Sequence, residues 1–455
     1  MAMVGSQRGA TFSGLAFADL FARARTWLTD GSDSRVAQRA AGNVFLVRIG
    51  SAMLALISQV LLARWMGSYE LGIYIYVWTW VLMIGALSDG GLSSAARRFI
   101  PEYTELKAYD RLRGFLSGSR WLAFAIATAL SVICGLGVFA LRPWLDHFTV
   151  VPLLLACLTL PIYGLVQVQV GIAQAYNWPN LALMPFYIWR QLLLTLLMGA
   201  AYLFGFATDA VTAMLVAVAT IWLVTLGQLV VLDRRLKAKT RAGRKRYEPK
   251  LWLATSLPIL MVEGFYLLLT YVDIIALEHF GTPDQVAIYF AAARILAIVA
   301  FVYFAIANVT THKFTQYHVR GDRKRLAAFF AETCRWTFWP SLGACVLILA
   351  FGYPLLSLFG PQFTAGYGVM FILAAGMLSR ATVGPAERLL NMLGDRKQCA
   401  AIYALAFAIN LGLCIVLIPT FGIEGAALAT SSALIVESVL LFIVVRRRLR
   451  PPTRA

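Results

Sequence analysis

The sequence predicts an all-α polytopic membrane protein with about twelve transmembrane helices. Of the 455 residues, 60% are hydrophobic and only 14% are charged, with a mean hydropathy of +0.73. A soluble chain of this length needs far more polar surface to cover itself. Apolar runs of about 20 residues, enough to cross a bilayer core, recur along the chain. The ten-residue alternation of barrel strands is not visible, so the runs are helices.

The predicted elements begin with a segment, 1–42, that lacks the apolar core and cleavage site of a signal peptide. It fits either a short helix on the inner membrane surface or a disordered stretch. The apolar runs that follow predict twelve helices, at 43–66, 71–93, 119–141, 150–175, 181–204, 208–232, 252–277, 285–311, 331–353, 363–390, 398–419 and 423–445.

Short motifs that recur at nearly one spacing divide these helices into an N-lobe (43–232) and a C-lobe (252–445). MGSYELGIY (66–74) follows helix 1, and a more divergent copy, FGTPDQVAIY (280–289), follows helix 7. AQAYNWPNLA (173–182) occupies the place of LNMLGDRKQC (390–399), 217 positions on, and Gly205 and Gly422 differ by the same spacing. Because each lobe has an even number of helices, both begin on the same side and form parallel pseudo-symmetric repeats.

The basic residues set the predicted orientation. The segments on the side of the N-terminus, including the linker 233–251 and the tail 446–455, hold 31 of the 40 Lys and Arg residues, and the opposite loops hold only Arg142. The positive-inside rule therefore predicts a multi-pass protein of the bacterial inner membrane with both termini cytoplasmic. The net charge of +18 indicates attraction to anionic membrane lipids, and no nucleic-acid partner is expected.

Two stretches resemble the opening of polysaccharide-exporting flippases, which belong to the multidrug/oligosaccharidyl-lipid/polysaccharide exporter superfamily. They are LLARWMGSYELGIYIYVWTW (61–80) and LSDGGLSSAARRFIPEY (87–103), and FGTPDQVAIYFAAARI (280–295) is similar to the same pattern. The resemblance implies two lobes around a central cavity and transport of an undecaprenyl-diphosphate-linked oligosaccharide from the inner to the outer leaflet. It also implies a place in lipopolysaccharide or exopolysaccharide synthesis, with a polysaccharide polymerase and chain-length machinery as further partners.

Four arginines lie deep in the predicted helices and are the candidate substrate-binding residues: Arg48, Arg190, Arg294 and Arg380. An arginine inside a membrane costs about 2.5–3.5 kcal/mol on insertion scales, so it usually faces a partner or a wet cavity. Its planar fork suits a diphosphate. The alternative is an internal ion pair, for which Glu387 and Glu437 are among the available acids. Arg64, near a helix end, is expected to extend to the lipid headgroups.

Three carboxylates are candidates for ion coupling or charge balance: Asp89, Glu263 and Asp273. A buried carboxylate near an arginine suits coupling to H⁺ or Na⁺, and Glu263 could equally neutralise an arginine. Asp89, beside Gly90 and Gly91, is expected to cap a break in helix 2. No other cofactor is expected, and no metal site.

Two other functions remain open at this stage. An ion-coupled multidrug exporter of the same superfamily would have an acidic cavity, whereas this one is mixed, with arginine prominent. A membrane enzyme that modifies glycans is less favoured, because the four histidines lie in loops or at helix ends and the predicted outer loops are short. The chain also lacks a GxxxxGK[ST] loop, so a gradient or the substrate's own concentration would drive transport.

Overall fold

A computed structural model of the chain describes residues 33–240 and 243–449, which divide into two units, Met1–Gly50 and Ser51–Ala455. The interpretation of the start of the chain as a surface helix or a disordered stretch concerns residues 1–32 and lies outside the described residues, as do 241–242 and the end of the tail. All regular structure in the described ranges is helical, which confirms the all-α prediction.

The first half of the chain forms eight α-helices, joined in part by a 3₁₀ turn at Arg142–Trp144 and a π-helical turn at Pro185–Trp189. They are α1 (Asp33–Leu87), α2 (Leu92–Glu105), α3 (Tyr109–Leu141), α4 (His147–Cys157), α5 (Leu160–Ala175), α6 (Pro179–Met184), α7 (Arg190–Leu203) and α8 (Ala210–Lys239).

The second half follows the same plan, with 3₁₀ turns at Ala297–Val299 and Pro361–Gly366. Its helices are α9 (Pro249–Phe280), α10 (Pro283–Leu296), α11 (Ala300–Val319), α12 (Arg323–Ala350), α13 (Gly352–Ser357), α14 (Tyr367–Val383), α15 (Ala386–Met392) and α16 (Arg396–Leu449).

Seven helices within the described residues are long and apolar enough to cross a membrane, or eight if the bent pair α4 and α5 counts as one span. Two of the seven stretches are 59 and 53 residues long, about twice what one crossing needs. Non-helical glycines break them, Gly67 inside α1 and Gly422 inside α16. The protein is therefore a multi-pass membrane protein, and each predicted apolar run is largely helical, while the number twelve stays a prediction.

The turns between helices carry the signature of an internal repeat. Six residues with left-handed backbone fall into three pairs with one member in each half, and they are Lys107 and Gly321 (214 positions apart), Asn177 and Gly394 (217 apart), and Gly205 and Gly422 (217 apart). Positive φ is uncommon outside glycine, so its recurrence at Lys107 and Asn177, opposite a glycine each time, supports two pseudo-symmetric halves.

The break between α1 and α2 is built around Asp89. Gly90 and Gly91 both have positive φ, and the Asp89 carboxylate accepts hydrogen bonds from the N–H groups of Gly91 (2.9 Å) and Ser93 (2.8 Å). The carboxylate thus satisfies donors at the start of α2 that have no helical partner. The predicted cap in helix 2 is confirmed.

The two lobes meet at the end that holds both copies of the opening motif, which the charge pattern predicts to be the outer end. Ser68 donates a short hydrogen bond to the Asp284 carboxylate, and Gln362 Nε2 lies 3.4 Å from Ser68 Oγ. Gly72 is so close to α10 that an added Cβ would lie 1.8 Å from the Pro283 carbonyl oxygen. The predicted outer end is closed in this structure.

Arg64 contributes to the same closure. Its Nε and Nη2 each donate a 2.7 Å hydrogen bond, to the backbone carbonyls of Leu358 and Ser357. The expectation that Arg64 extends to lipid headgroups was wrong, because these two carbonyls of the opposite lobe come within its reach.

Candidate functional site

A proline inside a predicted helix places Arg190. Pro185 has no N–H to donate to the carbonyl four residues back, and the Leu181 carbonyl accepts instead from Gln228 Nε2 of α8, at 2.9 Å. The chain then forms the π turn Pro185–Trp189, and the Arg190 N–H bonds to the Pro185 carbonyl. Such turns are rare and occur often at functional sites. This one immediately precedes the buried arginine.

The Arg190 side chain is buried in an aromatic pocket of the N-lobe, with 8% of the residue exposed. Its Cζ lies 4.6 Å from the ring centre of Trp78 and 4.9 Å from that of Phe186. Nη2 donates to Gln191 Oε1 at 3.3 Å, and the guanidinium also interacts with the Tyr74 hydroxyl. Nε and Nη1 make no hydrogen bond of good geometry. Among the described residues, no carboxylate lies within salt-bridge distance of Arg190. The site thus holds a charged group with unused donors, a combination that favours an anionic ligand.

Arg294 approaches the same region from the C-lobe. It lies half-buried on α10, in the neighbourhood of Tyr271 of α9. Tyr271 in turn neighbours Tyr187, and Tyr163 neighbours both Tyr271 and Arg190. We call Arg190, Arg294, Tyr163, Tyr187 and Tyr271 the arginine–tyrosine cluster. The members of this cluster come from both lobes.

Arg380 has a different environment. Its guanidinium pairs with the Glu437 carboxylate, 3.6 Å away, and lies 5.8 Å from the centre of the Tyr266 ring. Both groups belong to the C-lobe, where Arg380 lines a cavity of about 440 Å³ together with Glu387, Arg388 and two further tyrosines. Arg380 therefore has the internal partner that the described structure does not give Arg190. Its predicted role in substrate binding stays a prediction.

Arg48 lies on α1 in the unit Met1–Gly50, where its residue is exposed. The arginine–tyrosine cluster lies wholly in the other unit, Ser51–Ala455. Glu263 lies on α9, and its side chain is outside the described part of the structure. For both residues the predicted roles stay predictions.

Asp273 is buried, and its carboxylate is hydrogen-bonded within the protein. Its carboxylate accepts hydrogen bonds from Tyr289 Oη (2.6 Å), Thr430 Oγ1 (3.2 Å) and the Ile274 N–H (2.9 Å). These groups join α9, α10 and α16. Within residues 33–240 and 243–449, no group of three or more His, Cys, Asp or Glu residues could hold a metal ion. The coupling role predicted for Asp273 stays a prediction.

The two arginines of the cluster were identified from the sequence, but the aromatic residues around them were not. Trp78, Phe186 and the three tyrosines look like ordinary apolar positions, since aromatic residues are common throughout the chain. One signal was available: Pro185 stands inside a predicted helix, five residues before a deep arginine. A proline at such a position leaves a backbone carbonyl without its helical donor, and a neighbouring side chain must then supply one.

Part of the chain is similar in sequence to a known protein. Agl15 of Haloferax volcanii, described as a probable low-salt glycan biosynthesis flippase, is 26% identical over 172 residues. The match covers 38% of this chain and 36% of that protein, so it spans little more than a third of the relative.

Two solved structures share the fold. An inward-facing multidrug resistance MATE family transporter of the MOP superfamily has a TM-score of 0.71, with 14% identity over 89% of this chain and 98% of the other. The lipid II flippase MurJ, in an inward closed conformation, has a TM-score of 0.69, with 16% identity over 89% of this chain and 87% of the other. At these identities the similarity establishes the fold alone.

The profile of one family, described as polysaccharide biosynthesis protein, matches residues 39–314, which is more than half of the chain. The chain therefore belongs to the polysaccharide biosynthesis protein family.

Proposed function

We propose that this protein is a flippase that moves a lipid-linked oligosaccharide of the undecaprenyl-diphosphate type from the inner to the outer leaflet. The observation that carries the proposal is Arg190, buried among aromatic rings with unused donors and no described carboxylate partner. A guanidinium has five donors in a planar fork that matches phosphate oxygens, and it remains charged when buried. The diphosphate is the part of the substrate that such a group would bind.

A substrate site that draws residues from both lobes would connect binding to transport. A ligand changes the balance between two conformations only if it binds one of them more tightly. A diphosphate held by Arg190 on one lobe and Arg294 on the other would favour the state in which both arginines reach it. Alternating access of a parallel-repeat transporter then moves the lobes around this point. Membership of a polysaccharide biosynthesis family supports a glycan as the cargo.

The multidrug alternative has less support in the site. A cationic drug would need an available carboxylate. Asp89 and Asp273 already accept two and three hydrogen bonds from the protein, and Glu437, whose oxygens accept none, is paired with Arg380. The groups that retain unused capacity in the arginine–tyrosine cluster are donors.

Reconstitution in liposomes tests the proposal directly. Wild type and Arg190→Gln would be compared for the initial rate at which a fluorescent lipid-linked oligosaccharide crosses the bilayer. A hydrogen bond to a charged group contributes about 1.5–3 kcal/mol, so we expect the rate to fall by about tenfold to a hundredfold. Arg190→Lys, which keeps the charge without the planar fork, should retain an intermediate rate.

Arg335→Gln is the matched control, because it removes one positive charge from an exposed arginine on α12. It should transport like wild type. The proposal fails if Arg190→Gln, incorporated to the same level, moves the oligosaccharide at the wild-type rate.

A further inference from the structure

A groove of about 950 Å³ lies on the N-lobe, and none of the residues that line it belongs to the arginine–tyrosine cluster. Helices α3, α5 and α8 and the start of the interlobe linker form its walls. We call it the basic groove, because four of the residues that line it are cationic: Arg113, Arg120, Lys237 and Lys245. Arg113, Lys237 and Lys245 lie in segments that the charge pattern places at the inner side of the membrane, and Arg120 lies at the adjoining end of the predicted helix 119–141.

The charges of the basic groove are only partly balanced. Among the described residues, Asp233 is the one acid that lines it, and it pairs with Arg120 at 2.5 Å. Arg120 is mostly buried, and its Nε has no hydrogen-bond partner. Lys237 and Lys245 line the same groove without a second acid among its described lining residues, so positive charge is in excess there. Such an excess, beside an enclosed arginine donor, favours a ligand that carries phosphate.

The rest of the groove is apolar and continues along the membrane-spanning part of the lobe. The principal apolar residues of this wall are Leu116, Trp121, Phe124, Trp222, Leu226 and Leu229. Trp121 is 74% exposed and Leu226 is 46% exposed. A hydrocarbon chain would bury apolar surface here, and a polar, freely soluble anion would not. Basic groups at one end and an open apolar wall at the other match the two ends of a phospholipid.

The groove also contacts the linker that joins the lobes. Arg113 Nε donates to the Arg244 carbonyl at 2.9 Å, and Gly243 lies against the Arg113 guanidinium. Nearby, the Arg246 N–H donates to the Asp110 carbonyl at 3.0 Å. A phosphate between Lys237 of α8 and Lys245 of the linker would add a bridge to this contact.

We propose that the basic groove is a binding site for an anionic membrane phospholipid. Its phosphate lies among Arg113, Arg120, Lys237 and Lys245, and its acyl chains lie along the apolar wall of α3 and α8. The bound lipid holds the linker against the N-lobe. This site shares no residue with the arginine–tyrosine cluster, and it does not depend on which cargo the protein carries.

Native mass spectrometry of the full-length protein tests the site, after incubation with an equimolar mixture of phosphatidylglycerol and phosphatidylcholine. We expect wild type to retain one phosphatidylglycerol in preference to phosphatidylcholine. A basic residue near an anionic headgroup contributes about 1 kcal/mol, or about fivefold in affinity. Lys237→Gln combined with Lys245→Gln should therefore weaken phosphatidylglycerol binding by about 25-fold.

Two further variants test whether lipid retention depends on the groove itself or only on the total positive charge of the protein. Lys324→Gln with Lys397→Gln removes the same charge from exposed residues of the C-lobe and should leave lipid retention unchanged. Leu229→Trp keeps every charge but fills the apolar wall, and it should also reduce retention. Because it leaves the lysines intact, it tests the groove even if the lysine variant folds poorly.

Several results would overturn the proposal. They are equal retention of the two phospholipids, equal loss in both lysine pairs, and full retention in Leu229→Trp. Displacement of the lipid by inorganic phosphate alone would identify a simple anion site. Displacement by undecaprenyl phosphate, at concentrations that leave other bound lipid in place, would assign the groove to the carrier lipid of the cargo.

Discussion

Buried charged residues of one type have different roles here according to their partners. Arg190 and Arg380 both lie deep in apolar helices, and the sequence placed them in one candidate set. The structure separates them, because Glu437 reaches Arg380 whereas no described carboxylate reaches Arg190. Glu437 is on α16 and Arg380 on α14, so their pairing depends on how two helices pack. Helix periodicity within one segment cannot reveal such a pair.

The Arg380–Glu437 pair leads to a prediction about stability. Glu437 is fully buried, so Glu437→Gln leaves the arginine without its counter-charge. Breaking a buried pair costs about 3–5 kcal/mol, and because Arg380 is 30% exposed we expect a loss at or below the lower end of that range. The measurement is thermal unfolding in detergent.

The double variant Arg380→Met, Glu437→Leu is the control. Replacing both charges by apolar groups is often close to neutral, so it should unfold at a higher temperature than Glu437→Gln. If the single variant is as stable as wild type, the pair contributes nothing to the fold.

At the scale of helices, the sequence predicted where the apolar segments run but not where they bend. Pro161 and Pro185 each lack the donor for a carbonyl four residues back. A side chain of a neighbouring helix supplies it in both cases: Ser131 donates to the Cys157 carbonyl at 2.6 Å, and Gln228 to the Leu181 carbonyl. The first proline follows a bend of 45° between α4 and α5, and the second begins the π turn. Asp89 was predictable because its cap is local, whereas these acceptors depend on distant residues.

Gln228 should therefore matter for the geometry around Arg190. Gln228→Leu leaves the Leu181 carbonyl buried without a donor, which costs about 1–3 kcal/mol. We expect a lower unfolding temperature in detergent and a reduced transport rate. Gln398, an exposed glutamine of the C-lobe, gives the control Gln398→Leu, which should change neither. Equal behaviour of the two variants would show that Gln228 does not determine the geometry around Arg190.

For the whole molecule, the repeat and the transport class were accessible from sequence, since motif spacing and apolar runs are properties of the chain itself. The closure of the predicted outer end was not, because it consists of contacts between residues more than 200 positions apart. Ser68 and Asp284 belong to the two copies of one motif, and they touch in this structure. The repeat therefore contributes both sides of a contact between lobes.

A disulfide at that contact should stop transport. The pair Ser68→Cys, Asp284→Cys should cross-link while the outer end is closed, and reduction should restore transport, because a carrier cannot turn over with one side fixed. The measurement is oligosaccharide flux in liposomes before and after reduction. If the oxidised protein transports normally, the lobes do not need to separate there.

Two glycine variants test whether the yield of cross-linking depends on how closely the two lobes approach each other. Gly72→Ala would place a Cβ 1.8 Å from the Pro283 carbonyl oxygen, whereas Gly137→Ala meets nothing within 4 Å. Added to the cysteine pair, the first should reduce cross-linking and the second should not. Similar yields from both would show that the contact adapts freely.

The predicted orientation can be tested by labelling in intact cells, in a variant without the native cysteines. Trp144, 87% exposed, lies in a predicted outer loop, and Val319, 80% exposed, lies in a predicted inner segment. The positive-inside rule predicts that a cysteine at 144 reacts with a membrane-impermeant thiol reagent and that one at 319 reacts only after permeabilisation. The reverse pattern would invert the topology and with it the proposed direction of transport.

The π turn before Arg190 has a genetic consequence. Such a turn accommodates one residue more than an α-helix, and one residue is a rotation of about 100° around the helix axis. Because the wide turn absorbs the extra residue, a single-codon deletion between Pro185 and Trp189 should restore α-helical winding and keep Arg190 in phase with the preceding turns. Deletion of Trp189, which is 56% exposed, should therefore leave an inserted protein that still transports, and loss of flux at normal insertion would show that the wide turn itself is needed. One in-frame triplet can thus be removed here without displacing the arginine.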